Sequence, residues 1–215
     1  MAHKGAGLVR AVFDTDNFLM RICEKVMDIT TVNLLFVLTC LPIVTIGIAK
    51  ISLYQTLFEI KNNRRVPVVR HYLKAFKSNW KLGLELGVLE LVVAGISVFD
   101  LLLFWNQAAL PFQIVKVVCL GILIFLTLTM LAAYPLAGKY QLTLKDCLQK
   151  AVLVASFNFP WFVLMMVLIL LIIMVLYLSA FTLLLGGSAF ILFGFAGLAF
   201  LQVGLMERIF GKYQS

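Results

Sequence analysis

Charge is what this chain has least of. Of its 215 residues only 13% are Asp, Glu, Lys or Arg, against 63% hydrophobic residues and a mean hydropathy of +1.05. Soluble domains carry about 25% charged residues. Too few polar side chains remain here to cover a water-soluble particle of this size. Cysteine is scarce as well. The four cysteines, Cys23, Cys40, Cys119 and Cys147, fall in no CxxC or zinc-like spacing, which excludes a disulfide scaffold. The two histidines, His3 and His71, are too far apart in sequence to form a metal site or a triad, so neither metal nor cofactor is expected. Gly-x-Ser-x-Gly, HExxH and a phosphate loop are all missing, and an enzyme is not expected. The first 28 residues lack an apolar core and a small-residue cleavage site, so no signal peptide is expected there.

What the chain has is long apolar runs. A bilayer core of about 30 Å needs roughly 20 apolar residues in a helix. The longest uncharged stretch, 151–206, holds two spans, with a turn expected at Gly186-Gly187-Ser188. Further spans are expected at 114–136 and, despite Glu85, Glu90 and Asp100, at 82–105. The window 29–49 is interrupted by Pro42 and Gly47. Trp80, Trp105 and Trp161 fall at span ends, where amphipathic rings prefer to sit, and Pro160 suits a first helical turn.

Basic residues orient the chain, because cytoplasmic segments carry the Lys and Arg excess. Lys61, Arg64, Arg65, Arg70, Lys74, Lys77 and Lys81 cluster in 53–81; Lys139, Lys145 and Lys150 follow in 137–158, and Arg208 and Lys212 near the C-terminus. The loops near 105–113 and 184–189 carry none and are expected outside. Lys4, Arg10, Arg21 and Lys25 argue for an inside N-terminus as well. A helical hairpin satisfies them all: one helix at 17–41, a turn over 42–47, and a returning helix at 47–62. That helix carries Lys50, Gln55 and Glu59, so it is shielded by neighbours or reaches only partway. The turn is read as a simple one, in preference to a broken-helix binding element. The expected fold is thus an all-α integral membrane protein, one domain over 1–215. It is a bundle of about six transmembrane helices (17–41, 47–62, 82–105, 114–136, 160–184, 188–206), five strong and one weaker, with both termini in the cytoplasm.

Two cytoplasmic amphipathic helices complete it. In 66–81, Val69, Leu73, Phe76 and Trp80 share a face, and Arg70, Lys74, Lys77 and Lys81 repeat that spacing one residue on, about 100° around the helix. Such a helix suits a headgroup interface with snorkelling lysines. The plain role is a topology anchor; docking of a partner or of anionic lipid is the alternative. In 143–158, Thr143-Leu144-Lys145-Asp146 is a start signal, with Leu144, Leu148, Ala151 and Ala155 on one face. Nucleic acid is not an expected partner despite a net charge of +8, since the inside bias explains the charge.

At Asp16-Asn17-Phe18, Asn33-Leu34-Leu35 and Cys40-Leu41-Pro42-Ile43-Val44-Thr45-Ile46-Gly47 the chain resembles the YesL family of membrane proteins from Gram-positive bacteria. Tyr72-Leu73-Lys74-Ala75-Phe76-Lys77-Ser78-Asn79-Trp80-Lys81 and Asn158-Phe159-Pro160 resemble two more of its stretches. The resemblance covers about 12–206. It implies a multi-pass protein of the bacterial cytoplasmic membrane with an accessory role in carbohydrate uptake, and so ABC transporter components as partners. It supplies no site residues, and no permease ATPase-docking loop matches.

Ionisable groups inside the bilayer are expensive and mark candidate sites. Asp100 and Lys116 lie at comparable depth on consecutive spans, and the plain reading is a structural ion pair. Glu90 lies roughly 12 Å from the inner surface. Its one candidate partner is Lys50, placed about 9 Å nearer the outside. Glu90 is then protonated, bonded to a neighbouring helix, or lining a polar cavity. Gly83 and Gly87 form a GxxxG, with Gly95 beyond it, and Gly194, Gly197 and Gly204 thin the last helix; close helix packing is expected, with homo-oligomerisation the alternative. Two functions follow from these residues and the resemblance. One is a non-enzymatic accessory or regulatory protein beside a carbohydrate ABC importer. The other is a small-solute or proton-coupled transporter using Glu90, Asp100 and Lys50. A cavity reaching Glu90 from one side favours the transporter, and a closed bundle with a conspicuous cytoplasmic helix face favours the accessory protein.

Overall fold

The computed structural model describes residues 18–63, 66–107 and 109–213. Lys4, Arg10, Arg64, Arg65, His3, Asp16 and Asn17 lie outside the described residues. Helices α1 (Phe18–Cys40), α2 (Ile46–Asn62), α3 (Val68–Ser78), α4 (Trp80–Phe104), α5 (Leu110–Lys139), α6 (Leu144–Phe157) and α7 (Phe159–Tyr177) follow one another. Helices α8 (Ala180–Ala189) and α9 (Phe195–Tyr213) are joined by a π turn, Phe190–Gly194. There is no strand among the described residues. Five stretches are long and apolar enough to cross a membrane: Ile43–Asn62, Trp80–Phe104, Leu110–Lys139, Phe159–Tyr177 and Ala180–Gly211. This is a multi-pass membrane protein. By this measure α1 is the weak member of the bundle, because Arg21, Glu24, Lys25 and Asp28 occupy its first half.

Several local signals act as the sequence suggests. Pro42 opens a single 3-10 turn, Ile43–Thr45, so the break between α1 and α2 is a simple turn. Thr143 caps α6: its Oγ1 accepts from Asp146 N at 3.3 Å and donates to Asp146 Oδ2 at 2.6 Å. Asn158 joins α6 to α7, and Pro160 stands in the first turn of α7. The turn expected at Gly186-Gly187-Ser188 is corrected. Both glycines lie inside α8, and the break falls at Leu178-Ser179, so the spans end near 177 and 211 instead of 184 and 206. The reason is capping. Ser179 Oγ accepts from Phe181 N, and Thr182 Oγ1 accepts from Ser179 N, satisfying first-turn donors that glycine would leave orphaned.

Contacts along α2 define its course. Ile48 and Gly47 meet α4 at Gly83 and Gly87. Ile51, Tyr54 and Gln55 meet Gly138, in the last turn of α5. Lys61 pairs with Glu207 at 2.6 Å, in the second half of α9. Residues 83–87, 138 and 207 all lie within about 10 Å of the same end of the bundle, at 1.5 Å per residue. Helix α2 therefore lies across that end, reaching only partway into the bundle and shielded on all sides. Ile51, Leu57 and Ile60 are fully buried or nearly so.

Helix α1 approaches the same end. Near its C-terminus, Thr39 Oγ1 is hydrogen-bonded to Tyr72 Oη of α3 at 2.6 Å, and α3 runs directly into the start of α4. Further back, Asn33 reaches the π turn, some 30 Å up the last helix from Gly211. Phe18 and Tyr213 thus stand at opposite ends. With α2 lying across that end, the returning helix of the expected hairpin is both shielded by its neighbours and reaches only partway into the bundle.

Candidate functional site

Above α2 the bundle does not close. A cavity of about 740 Å³ lies among α1, α2, α4, α5, α7, α8 and α9. Its polar residues other than Thr127 gather where α2 forms the floor, and its upper wall reaches Leu176 and Gly187, near the opposite end.

The floor is built around Glu90. Lys50 Nζ donates to both carboxylate oxygens at 2.8 Å, and Tyr134 Oη donates to Oε2 at 2.5 Å. The Lys50 ammonium also lies 4.6 Å from the centre of the Tyr134 ring. Beside this cluster, Tyr54 Oη donates to Gln202 Oε1 at 2.6 Å, and Gln202 Nε2 donates to Leu131 O at 2.5 Å. Of the three expectations for Glu90, bonding to neighbouring helices holds; Glu90 also lines a cavity, but one that is mostly apolar beyond this floor and not the polar cavity expected. The expected 9 Å offset of Lys50 is corrected, since α2 lies across the bundle with Gly47 against the backbone of Gly83 and Gly87. One turn later Lys50 arrives at the level of Glu90. Both side chains remain 28% exposed, so the pair faces the cavity.

The second expected pair does not form. Lys116 Nζ donates to Trp105 O at 2.8 Å and Gln107 O at 3.0 Å, and among the described residues Asp100 makes no ion pair. The carbonyls beyond the end of α4 have no intrahelical partner, and a lysine one loop away satisfies them. The glycines of the GxxxG serve internal packing. A Cβ on Gly47 would stand 2.1 Å from Gly83 O, whereas Gly95 and Gly197 meet nothing within 4 Å.

The single helix expected over 66–81 is corrected: α3 ends at Ser78, Asn79 breaks the helix, and Trp80 and Lys81 open α4. Helix α3 also has a buried face beside the expected apolar and basic stripes. Val68, Tyr72 and Ala75 are buried against α1 and α2, and burial raises the Tyr72 phenol. Val69, Leu73 and Trp80 are about half exposed, and Phe76 packs partly on the core. Arg70, Lys74, Lys77 and Lys81 are exposed beside them. On α6, Ala151 and Ala155 are buried, with Leu144 and Leu148 packed against the core, as their spacing suggests. Cys147 joins them; burial pushes its thiol up to about 11, although Lys150 lowers it. Among the described residues no His, Cys, Asp and Glu cluster is placed to hold a metal ion.

Sequence reasoning missed Tyr134, Tyr54 and Gln202. The signal for Gln202 was present, since an amide inside an apolar run seeks a partner across helices. It also missed what Asn33 does. Asn33 is fully buried; its Nδ2 donates to Phe190 O at 3.0 Å and Ile191 O at 2.7 Å, and its Oδ1 accepts from Ala196 N at 2.8 Å. These are the backbone groups a π turn frees in a medium without water.

Residues 29–101 match the family model described as Protein of unknown function, DUF624. YesL proteins carry that domain, which is consistent with the resemblance over the matched stretch; Asn158-Phe159-Pro160 lies beyond it. No curated protein and no solved structure matches the chain significantly. The DUF624 stretch includes Asn33, α2, Lys50, α3 and Glu90, while Tyr134 and Gln202 come from outside it.

Proposed function

We propose that this protein binds a small solute within the membrane, as a transporter of the solute or proton-coupled kind does, with the cavity as the site and Glu90–Lys50–Tyr134 at its polar end. The observation that carries this reading is the cavity itself, which reaches Glu90 from one side. Helix α2 seals the site at the basic end. Its close glycine contact with α4 is a natural place for a gate, because backbones in contact can slide without repacking long side chains. The basic end is proposed to be cytoplasmic; with α1 taken as a crossing helix and α2 not, this reading places the start of α1 outside and the C-terminus inside the bacterial plasma membrane. Reporter fusions at Lys4 and Tyr213 should give opposite readings.

The test of function is solute flux. In proteoliposomes, a solute found by thermal-shift screening should be taken up, and Glu90→Gln should abolish uptake while the protein remains folded. Wild-type uptake by Glu90→Gln would remove the carboxylate from the mechanism.

One observation supports the accessory role beside a carbohydrate ABC importer as a second reading. Val69 and Leu73 of α3 and Trp80 at the start of α4, flanked by Arg70, Lys74, Lys77 and Lys81, are exposed at the basic end. Replacing Arg70, Lys74 and Lys77 with Gln should abolish co-purification of importer components without altering insertion. Retention at wild-type levels would leave those charges as topology anchors.

A further inference from the structure

The chemistry of the cavity narrows what it accepts. Around the polar floor the lining is aliphatic and aromatic: Leu53, Leu126, Met130, Ile169, Ile172 and Phe195 are representative. Sugars and other polar solutes present hydroxyls on every side, and each hydroxyl facing such a wall loses a hydrogen bond at a cost of about 1–3 kcal/mol. Away from the floor a polar solute would meet a single lining hydroxyl, Thr127, whose proton already goes to Leu123 O. An apolar body with one polar end fits throughout, and about 740 Å³ lies within the usual range for a pocket enclosing one small organic ligand.

The floor also limits the polar end. Lys50 and Glu90 neutralise each other, and Glu90 already accepts from Lys50 twice and from Tyr134 once. A charged head would leave a net charge in hydrocarbon, which is costly. An uncharged head would not. The third N–H of Lys50 and the second N–H of Gln202 have no partner among the protein hydrogen bonds of the floor, so both can donate to a hydroxyl or carbonyl oxygen.

The wall facing the bilayer is thin. Within α7 only Phe162 is buried, so the side of the helix away from the cavity meets lipid along its length. Ile173 of α7 and Ile191 of the π turn line the cavity and are 45% and 53% exposed, at the level of the apolar part.

We infer that the cavity binds a single-chain amphiphile with an uncharged hydrogen-bonding head, its chain against α5, α7 and α9 and its head at Lys50 and Gln202. This rests on the proposed reading of the cavity as a solute site and names the class of that solute.

The experiment uses the full chain in nanodiscs with three radiolabelled probes: monopalmitoylglycerol, palmitate and maltose. Monopalmitoylglycerol should bind saturably, at least tenfold more tightly than palmitate, with no saturable binding of maltose. Ala199→Phe fills the cavity from a buried position and should weaken monopalmitoylglycerol at least tenfold. Ala94→Phe, on another wall, asks the same question if the first variant fails to fold. Monopalmitoylglycerol binding unchanged by the folded filling variants would place the lipid on the outer surface and overturn the inference. Palmitate bound as tightly as the neutral probe would overturn the uncharged head. Maltose binding that Ala199→Phe blocks would overturn the amphiphile and leave the solute site standing. No saturable binding by any probe would sink both.

Discussion

Helices α2 and α7 are each apolar enough to cross a membrane, yet 61% of the most apolar window of α2 is buried inside the protein against 6% for α7. The more apolar of the two is the less buried. In water the ordering would reverse, because burial is how apolar surface escapes solvent. In lipid the apolar helix is already at home, and the protein interior collects the helix that carries polar groups and small residues. Helix α2 holds Gly47, Lys50, Tyr54 and Gln55, and α7 between Phe162 and Tyr177 holds none of these types. Function follows the same division. The floor of the cavity is α2, and its lipid-side wall is α7.

The sharpest way to break this comparison is to deny α2 its close approach. Gly47→Leu would place a side chain where a Cβ already stands 2.1 Å from Gly83 O and 2.7 Å from Gly87 Cα. Neither atom is the end of a flexible side chain, so α2 and α4 must separate. The cost should exceed about 3 kcal/mol, beyond ordinary overpacking. Gly121→Leu, whose added Cβ meets nothing within 4 Å, should unfold in detergent like the wild type. Equal melting temperatures for the two variants would mean that α2 does not touch α4.

Next comes the clasp on the π turn. Asn33→Leu keeps the approximate volume and removes three hydrogen bonds, leaving two carbonyls and one N–H unpaired in a dry interior. Some of the freed groups can relax into an ordinary helical turn, so the expected loss is about 2–3 kcal/mol, less than the sum of three unsatisfied groups. Hydrogen exchange should rise first at 190–196. Protection there equal to wild type would show that the turn holds its form without Asn33.

Third is the floor. Lys50→Met leaves Glu90 facing the cavity with Tyr134 as its remaining partner. Removing one member of a fully buried pair costs about 3–5 kcal/mol, and partial exposure at this site lowers that to about 2. Adding Glu90→Gln should recover much of the loss, because no uncompensated charge remains. Additive losses in the double variant would deny the coupling seen in the geometry.

Much of this fold is legible in the sequence because lipid imposes one simple rule, that backbone polar groups be satisfied within each span. Hence the helices over 80–104, 110–139 and 159–177, the Thr143 cap and the GxxxG contact follow from local patterns. The misplaced turn at Gly186 shows the limit of that rule. Glycine breaks helices in water by exposing backbone and by its entropy, but inside a lipid-embedded helix the first effect is absent, and Ser179 with Thr182 offers better capping nearby. Charge counting is silent on α2 for a different reason. It treats each helix as crossing or not, whereas α2, whose Lys50 and Lys61 each find a carboxylate inside the protein, lies across one end of the bundle. The site was half legible. Glu90 and Lys50 stand out as ions in an apolar chain, whereas Tyr134 and Gln202 acquire meaning only when α5 and α9 bring them to Glu90 and Tyr54.

The smallest expected effect completes the comparison from the α7 side. Leu170 is 56% exposed and Leu57 is fully buried, so the same change to alanine asks what each leucine does. In a soluble core Leu→Ala loses both transfer free energy and packing, about 2–5 kcal/mol together. Here the transfer part largely vanishes, because the side chain meets hydrocarbon in the unfolded, inserted state as well. The cavity part survives only where neighbours cannot close the gap. Leu57→Ala should therefore fall near the low end, about 2 kcal/mol, while Leu170→Ala, whose gap lipid can fill, should stay within about 0.5 kcal/mol. Unfolding by SDS titration in mixed micelles measures both. A loss at Leu170 matching that at Leu57 would mean α7 packs against protein over the face it shows to lipid, so that the wall between cavity and bilayer is not thin there.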